Sequence, residues 1–266
     1  MNITSVKLVY FSPTGTTKKV VEGIAEAIQD GTTEHLDLTS PEARIRTFTE
    51  LQDELTIIGT PVYSGRVPVD AIHRLRRLKA NNTPAVILVV YGNVVYKDAL
   101  LELNNIAVEI GCIPVAAGIF IGEHSLVPIA EGRPDAEDLK KAREFGKKIW
   151  NKLQDIEAIS DVSPLQIPGN FPYHTTQQTP EDFLQTYPAT KETICSKCET
   201  CVAVCPTAAI TVNDTVITDQ DTCILCCACV KNCPTQARVM DSPHYQKIVE
   251  SVSKNLPERK EPEIFL

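Results

Sequence analysis

Nine of the ten cysteines in this 266-residue chain fall between Cys195 and Cys233, and eight of them form two copies of one pattern. Cys195-x2-Cys198-x2-Cys201-x3-Cys205-Pro206 is followed 28 residues later by Cys223-x2-Cys226-x2-Cys229-x3-Cys233-Pro234. The tails repeat too, as Pro206-Thr207-Ala208-Ala209 and Pro234-Thr235-Gln236-Ala237. Disulfide frameworks belong to oxidising compartments. The N-terminus MNITSVKLVYF has no basic n-region ahead of an uncharged apolar run, so no signal peptide is expected. Structural zinc takes four ligands in separated pairs, which leaves a duplicated triple ending in Cys-Pro unexplained. The spacing fits two four-iron clusters, each taking three thiolates from one motif and its fourth from the other. On that rule the first cluster takes Cys195, Cys198, Cys201 and Cys233, and the second takes Cys223, Cys226, Cys229 and Cys205. Cys227 is expected to be a small buried side chain beside a cluster, and Cys112 to be core.

A segment of this kind, residues 189–240, has too little apolar sequence for a large core, so bound metal must hold it together. The length points to two domains, and 43% hydrophobic with 23% charged residues is an ordinary globular balance. The longest apolar stretch, Ile113 to Gly122, is far shorter than the roughly 18 residues of a membrane span. Residues 1–150 carry 17 Lys and Arg against 19 Asp and Glu, and the remainder carries 9 against 15. Without a basic face, nucleic acid is not an expected partner. Each oxidised cluster with its thiolates adds about −2, bringing the C-terminal part to about −10. The expected partner is therefore a soluble redox protein with a basic docking patch, bound less well in high salt. A cytoplasmic location is expected, and the sequence leaves the oligomeric state open.

Residues 1–154 alternate strand and helix patterns, the mark of a parallel α/β sheet. Strands are expected at Ser5–Phe11, Thr33–Leu38, Leu55–Gly59, Ala85–Tyr91 and Val115–Ile121. Helices are expected after the first strand, over Pro68–Leu78, through Leu100, Leu103 and Ile106, and over Asp135–Leu153. Five strands in this alternation fit a flavodoxin-like doubly wound sheet, which binds ligands at the carboxyl ends of its strands. Over residues 155–188 helical periodicity fails, and prolines 164, 168, 172, 180 and 188 mark a linker. Disorder and docking across the first domain are both open for it. Residues 241–266 form a C-terminal extension.

The first strand runs into Ser12-Pro13-Thr14-Gly15-Thr16-Thr17 and then a helix. This is neither a Walker loop nor a GxGxxG fingerprint, yet it gathers hydroxyls, a glycine and a helix N-terminus that can hold a phosphate. Ser and Thr before a helix also serve simply as caps. Two further turn-rich loops follow strands: Thr60-Pro61-Val62-Tyr63-Ser64-Gly65-Arg66 and Tyr91-Gly92-Asn93-Val94-Val95-Tyr96.

With these loops the N-terminal part resembles flavodoxin, and the cysteine array resembles the clostridial-type two-cluster ferredoxins. Together they are similar to the flavodoxin–ferredoxin fusion proteins of anaerobes, a resemblance covering nearly the whole chain. It implies a noncovalent FMN, with Ser12, Thr14, Gly15, Thr16 and Thr17 around its phosphate. Thr60, Pro61, Val62, Tyr63, Ser64 and Gly65, with Gly92, Asn93 and Tyr96, would border its ring. The only tryptophan, Trp150, lies in the last helix of the domain, which leaves Tyr63 and Tyr96 as the stacking candidates.

Gly122-Glu123-His124-Ser125 is a candidate substrate or partner loop, although a His beside a Glu is commonly a solvated pair. Arg66 either neutralises a reduced flavin or pairs with an acid. The leading expectation is an electron-transfer protein passing single electrons between two clusters and FMN. The alternative is a flavin-dependent reductase acting on a small molecule with electrons fed through the clusters. A redox sensor is a weaker third reading, since no effector or DNA-binding segment is visible.

Overall fold

The computed structural model describes residues 3, 5–28, 32–52, 54–175, 187–254 and 257–266. Its first part runs β1 (Ser5–Tyr10), α1 (Thr16–Ala25), β2 (Thr32–Asp37), β3 (Leu55–Pro61), α2 (Val69–Leu75), β4 (Thr83–Tyr91), α3 (Ala99–Glu109), β5 (Cys112–Ile121) and α4 (Ala136–Asp155). The second part holds β6 (Ala189–Thr190), α5 (Thr200–Ala203), β7 (Ile210–Val212), β8 (Val216–Thr218), α6 (Ala228–Lys231), β9 (Arg238–Val239), α7 (Pro243–Lys254) and β10 (Glu263–Phe265).

Five parallel strands pair in the order β2-β1-β3-β4-β5, the flavodoxin-type doubly wound order. Burial on both faces requires apolar residues at every position of the inner strands, and the two core clusters show how these are shared. Val86, Leu88 and Val90 of β4 face the layer of α1 and α4, with Val21, Ile24, Phe145 and Ile149. Ala85, Ile87, Val89 and Tyr91 face the layer of α2 and α3, with Leu75, Leu100, Leu103 and Ile106. β2 is an edge strand, exposed along most of its length, and its Glu34 and Asp37 suit an edge that must not pair further.

Two features depart from the sequence expectations, and a third decides an alternative that the sequence left open. α2 stops at Leu75 rather than Leu78, because the following residues turn to bond neighbouring chain: Leu51 N donates to Lys79 O at 2.8 Å and Ala80 N to Ile110 O at 2.7 Å. The extension ends as β10, a sixth, antiparallel strand on β5, pairing Ile264 with Gly118 and Phe265 with Ala117. The sheet thus has six strands rather than five, and the chain's end covers an edge that would otherwise be open. Within the linker, Leu165 and Ile167 pack on the α2–α3 layer. The Asp98 carboxylate accepts from Asn170 N at 2.9 Å and His174 N at 2.6 Å. Residues up to His174 are therefore docked, whereas residues 176–186, Pro180 among them, lie outside the described residues.

In the second part, β6 pairs with β9 and β7 with β8. The sequence repeat is a backbone repeat as well. Lys197, Glu199 and Ala208 have left-handed φ of 53°, 59° and 55°, and 28 positions later Leu225, Cys227 and Gln236 have 54°, 59° and 55°. Among the described residues no helix is long and apolar enough to cross a membrane.

α1 and α4 meet at Gly146, where an added Cβ would lie 2.2 Å from the Ile24 carbonyl oxygen. Gly146→Ala gains up to about 1 kcal/mol of helix propensity, against overpacking of roughly 1–3 kcal/mol at the severe end here. The expected result is a Tm lower by about 2–6 °C in a circular dichroism melt. An unchanged or raised Tm would show that the two helices separate at little cost.

Candidate redox site

The cysteines of the two motifs mix in space. Cys195, Cys198, Cys201 and Cys233 line one cavity, together with Arg238 and Pro234. Cys205 and Cys229 pack in the same small core with Cys201 and Cys223 beside them, and Cys226 is close enough to Cys205 and Cys229 for their charges to act on its thiol. Among the described residues no three His, Cys, Asp or Glu side chains converge on an ion-sized point. The first four thiols frame a space instead, as a cubane with one iron per thiolate requires.

The left-handed residues turn successive N–H groups inward, the concave arrangement that anionic clusters occupy. Ala209 N donates to Cys205 Sγ at 3.3 Å and Arg238 N to Cys233 Sγ at 3.5 Å. The threonines of the two tails stand alike, Thr207 Oγ1 at 3.7 Å from Cys205 Sγ and Thr235 Oγ1 at 3.7 Å from Cys233 Sγ.

The surroundings differ between the groups. Cys198 is exposed and Cys195, Cys201 and Cys233 are half-buried, whereas Cys205, Cys226 and Cys229 are buried. The Thr200 hydroxyl and nearby backbone bring the Cys198 thiol down to about 7. Burial pushes Cys223 up to about 11 and drives Cys226 higher still. A buried thiol in such surroundings becomes a thiolate only with a cation or metal beside it. Cys227 is 2% exposed and takes a left-handed φ of 59° ahead of α6, while Cys112 is buried in the α2–α3 layer.

The three strand-end loops lie at the carboxyl ends of β1, β3 and β4. Gly15 has φ +82°, and a Cβ built on it meets nothing within 4 Å, so the space above the loop is open. Ser12 acts partly as a cap: its Oγ accepts from Lys18 N at 3.0 Å, and its own N donates to Thr39 Oγ1 at 2.8 Å. The N–H groups of Thr16 and Thr17 begin α1 and have no acceptor within the helix. Thr17 Oγ1 and Thr60 Oγ1 are buried without a hydrogen-bond partner, the condition a bound polar ligand would relieve. These features fit a phosphate and the polar chain of a flavin.

The Thr60–Arg66 loop closes in a tight turn, with Tyr63 and Arg66 exchanging backbone hydrogen bonds of 2.9 and 3.0 Å, while Ser64 and Gly65 supply φ of 53° and 80°. The Gly92–Tyr96 loop is held by the chain's end. Asn93 Nδ2 donates to Glu258 O at 2.9 Å, its Oδ1 accepts from Lys260 N at 3.0 Å, and the Tyr96 hydroxyl donates to Glu263 at 3.2 Å. Tyr96 is thereby turned toward β10 and against Tyr91, and the structure does not bring it together with Tyr63.

Arg66 is engaged with the buried Glu102, Nε to Oε2 at 2.8 Å, and with His174 O at 3.0 Å. That makes it a strut for the docked linker. His124 is not a solvated side chain: its ring lies against Gly92, its Nδ1 accepts from Leu126 N at 3.2 Å, and burial lowers its pKa.

The cysteine-bearing part docks on these strand ends. Cys226 and Cys227 lie close enough to Tyr63 to add to the burial that drives its hydroxyl far above its ordinary pKa. Ile224 packs on the α2–α3 layer, and Lys231 pairs with Glu123. Arg74, 1% exposed, donates to Pro206 O at 2.5 Å and to Thr39 O and Ser40 O at 2.9 Å each, and Arg44 donates to Thr207 O at 3.1 Å. Sequence reasoning missed Arg74 and Arg44. Their only signal was position, on α2 and just after β2, where arginines usually mean solvent.

A 4Fe-4S binding domain is matched at residues 216–239. Solved structures similar to the chain include a flavodoxin from the domain Archaea, 14% identical over 56% of this chain and 99% of that one, with a TM-score of 0.36. A flavodoxin of Streptococcus pneumonia TIGR4 is 14% identical over 56% of this chain and 99% of its own, with a TM-score of 0.39. An apo NADH:FMN oxidoreductase is 15% identical over 60% and 94%, with a TM-score of 0.43. No curated protein matches the chain. By its strand order and this match, the molecule is a flavodoxin-like α/β domain joined to a 4Fe-4S binding domain.

If the grouping by space holds, Cys205→Ser damages the cluster of the second motif and Cys233→Ser that of the first, although each lies in the opposite motif. Cys227→Ala is expected to retain full iron. Iron and sulfide analysis with EPR of each variant decides, and losses confined to the mutated motif would refute the interlocked ligand sets.

Proposed function

We propose that this chain is an electron-transfer protein in which two 4Fe-4S clusters exchange single electrons with a noncovalent FMN. The observation that carries this reading is the placement of Cys226 and Cys227 against Tyr63, at the strand end where the flavin ring is expected. The first cluster is assigned Cys195, Cys198, Cys201 and Cys233, and the second Cys223, Cys226, Cys229 and Cys205. Thr14, Gly15, Thr16 and Thr17 hold the FMN phosphate, supported by Ser12, and Thr60 to Gly65 border the ring. When bound, FMN takes one or two electrons and each cluster takes one, so the three groups convert between paired and single-electron chemistry.

The protein's part is to fix their order. The cysteines with the most exposure belong to the first group and those against the flavin loops to the second. A partner therefore reaches the first cluster more readily, while Tyr63 and the Cys226–Cys227 backbone exclude water from the inner step. The partner is a redox protein with a basic patch, matched to the acidic C-terminal part, and a reducing compartment such as the cytoplasm suits the thiolate ligands. The alternative of a reductase with its own small substrate gains no support from His124, whose half-buried ring lies against Gly92 and accepts from Leu126 N.

Anaerobically prepared protein is expected to contain about eight iron and eight sulfide per chain, with one FMN. Mixed with a reductant that delivers electrons to the clusters, it should bleach the flavin at a rate independent of protein concentration, since transfer is within the chain. A rate proportional to protein concentration, or a protein that takes up no FMN on reconstitution, would end this reading. Gly15→Val puts a β-branched residue at φ +82°, a left-handed strain of about 1–2 kcal/mol, and its side chain enters the space reserved for phosphate. FMN affinity is expected to fall about tenfold or more, measured by flavin fluorescence titration.

A further inference from the structure

The 28-residue repeat makes each position of one motif comparable with its twin, and at one buried pair the twins differ in charge. Ile210 follows the first tail as Arg238 follows the second, five residues after Cys205 and Cys233. Ile210 is 4% exposed and Arg238 is 3% exposed, so an arginine sits where the repeat elsewhere buries a hydrocarbon. A buried cation is costly unless opposite charge surrounds it.

The partners of Arg238 are neutral or sulfur. Its Nη1 donates to Thr190 Oγ1 at 2.7 Å, and its Nη2 to Thr218 Oγ1 at 2.8 Å and Cys229 Sγ at 3.8 Å. Among the described residues no carboxylate pairs with it, and its Nε is buried without a partner there. The same residue lines the cavity framed by Cys195, Cys198, Cys201 and Cys233, and its backbone N donates to Cys233 Sγ at 3.5 Å. One residue thus touches ligands of both groups, Cys229 through its guanidinium and Cys233 through its backbone N–H, and its charge also acts on Cys201 and Cys223.

We propose that Arg238 is a potential-setting residue, a fixed positive charge between the two cluster sites whose counter-charge is the clusters themselves. This rests on the two-cluster reading above. The physical reason is direct: reduction adds one negative charge to a cluster, a nearby cation stabilises the reduced form more than the oxidised one, and a hydrogen bond to a ligand sulfur acts in the same sense. Because the charge sits in low dielectric and away from solvent, salt screens it little. Arg238 therefore makes both clusters easier to reduce, and its bond to Cys229 Sγ favours the second, the one beside the flavin loops.

The test is an anaerobic redox titration of the full chain with dithionite, following the EPR signals of the reduced clusters, with iron and sulfide counted for each variant. Arg238→Ile copies the residue that the first motif carries at this position. Its midpoints are expected to move to more negative potential, most for the second cluster. Arg238→Lys, which keeps the charge, should lie closer to wild type than Arg238→Gln, which keeps a donor without it. Full iron with unshifted midpoints in the Ile variant would overturn the proposal. Should the Ile variant lose a cluster, the Lys and Gln variants decide: separated midpoints support a charge effect, equal midpoints refute it, and failure of both to assemble would reduce Arg238 to a structural role. A wild-type chain with fewer than eight iron would instead refute the two-cluster reading, independently of these shifts.

Discussion

The C-terminal part cannot fold on apolar burial, and that constraint shapes the rest of the molecule. Its packed core cluster is Cys205, Ala209, Ile210 and Cys229, so half of that cluster is cysteine in the repeated motifs. Its sheets have strands of two and three residues, far short of what holds an isolated sheet together. What such a segment needs is a group that bonds many side chains at once, which a metal cluster supplies. The price of that solution is a cluster of negative charge, which must then be placed against something that tolerates it.

The flavodoxin-like domain meets this need with polar contacts beside the apolar one at Ile224. Arg74 donates to carbonyls of its own domain and to Pro206 beside Cys205, and Arg44 reaches Thr207. Lys231 answers Glu123 across the same junction. These bonds fix direction as well as proximity, since a planar guanidinium fork donates along few directions. The chain adds two further ties: the linker bonded to Asp98 and Arg66, and β10 at the sheet edge. These two ties hold the linker up to His174 and the β10 segment to the first domain, while Arg74, Arg44 and Lys231 hold the cysteine loops themselves.

How much of this was legible in the sequence follows from how local each signal is. The cysteine pattern was readable because ligand spacing is set by the geometry of a cluster that any chain must wrap in the same way. The parallel strands were readable because burial on both faces demands uninterrupted runs such as Ala85–Tyr91. Glu263-Ile264-Phe265 carries no such signal, as three residues become a strand only when β5 offers an unpaired edge. The docking of Asn170 and His174 depends on the carboxylate of Asp98, some 70 positions away in the chain. Arg74 and Arg238 were invisible for the opposite reason, because charge in a sequence reads as surface and only the fold shows it at 1% and 3% exposure. The bond that holds the Tyr96 hydroxyl comes from Glu263, far along the chain, and carries no signal in the loop's own sequence.

Duplication explains the common geometry of the two motifs, and side chains and docking together explain their difference. The backbone φ values match to within a few degrees at three positions, so the two loops offer nearly the same arrangement of N–H groups and sulfur. On that common backbone the side chains already differ, Arg238 standing where the first motif has Ile210. A further distinction comes from outside: one loop faces solvent at Cys198, and the other lies by Tyr63 and places Ile224 on the apolar α2–α3 layer. The thiols differ accordingly: hydrogen bonds from Thr200 and nearby backbone bring Cys198 down to about 7, while burial pushes Cys223 up to about 11. A repeated backbone attached to an asymmetric surface thus acquires a direction, with an outer and an inner end, from its side chains and its packing together.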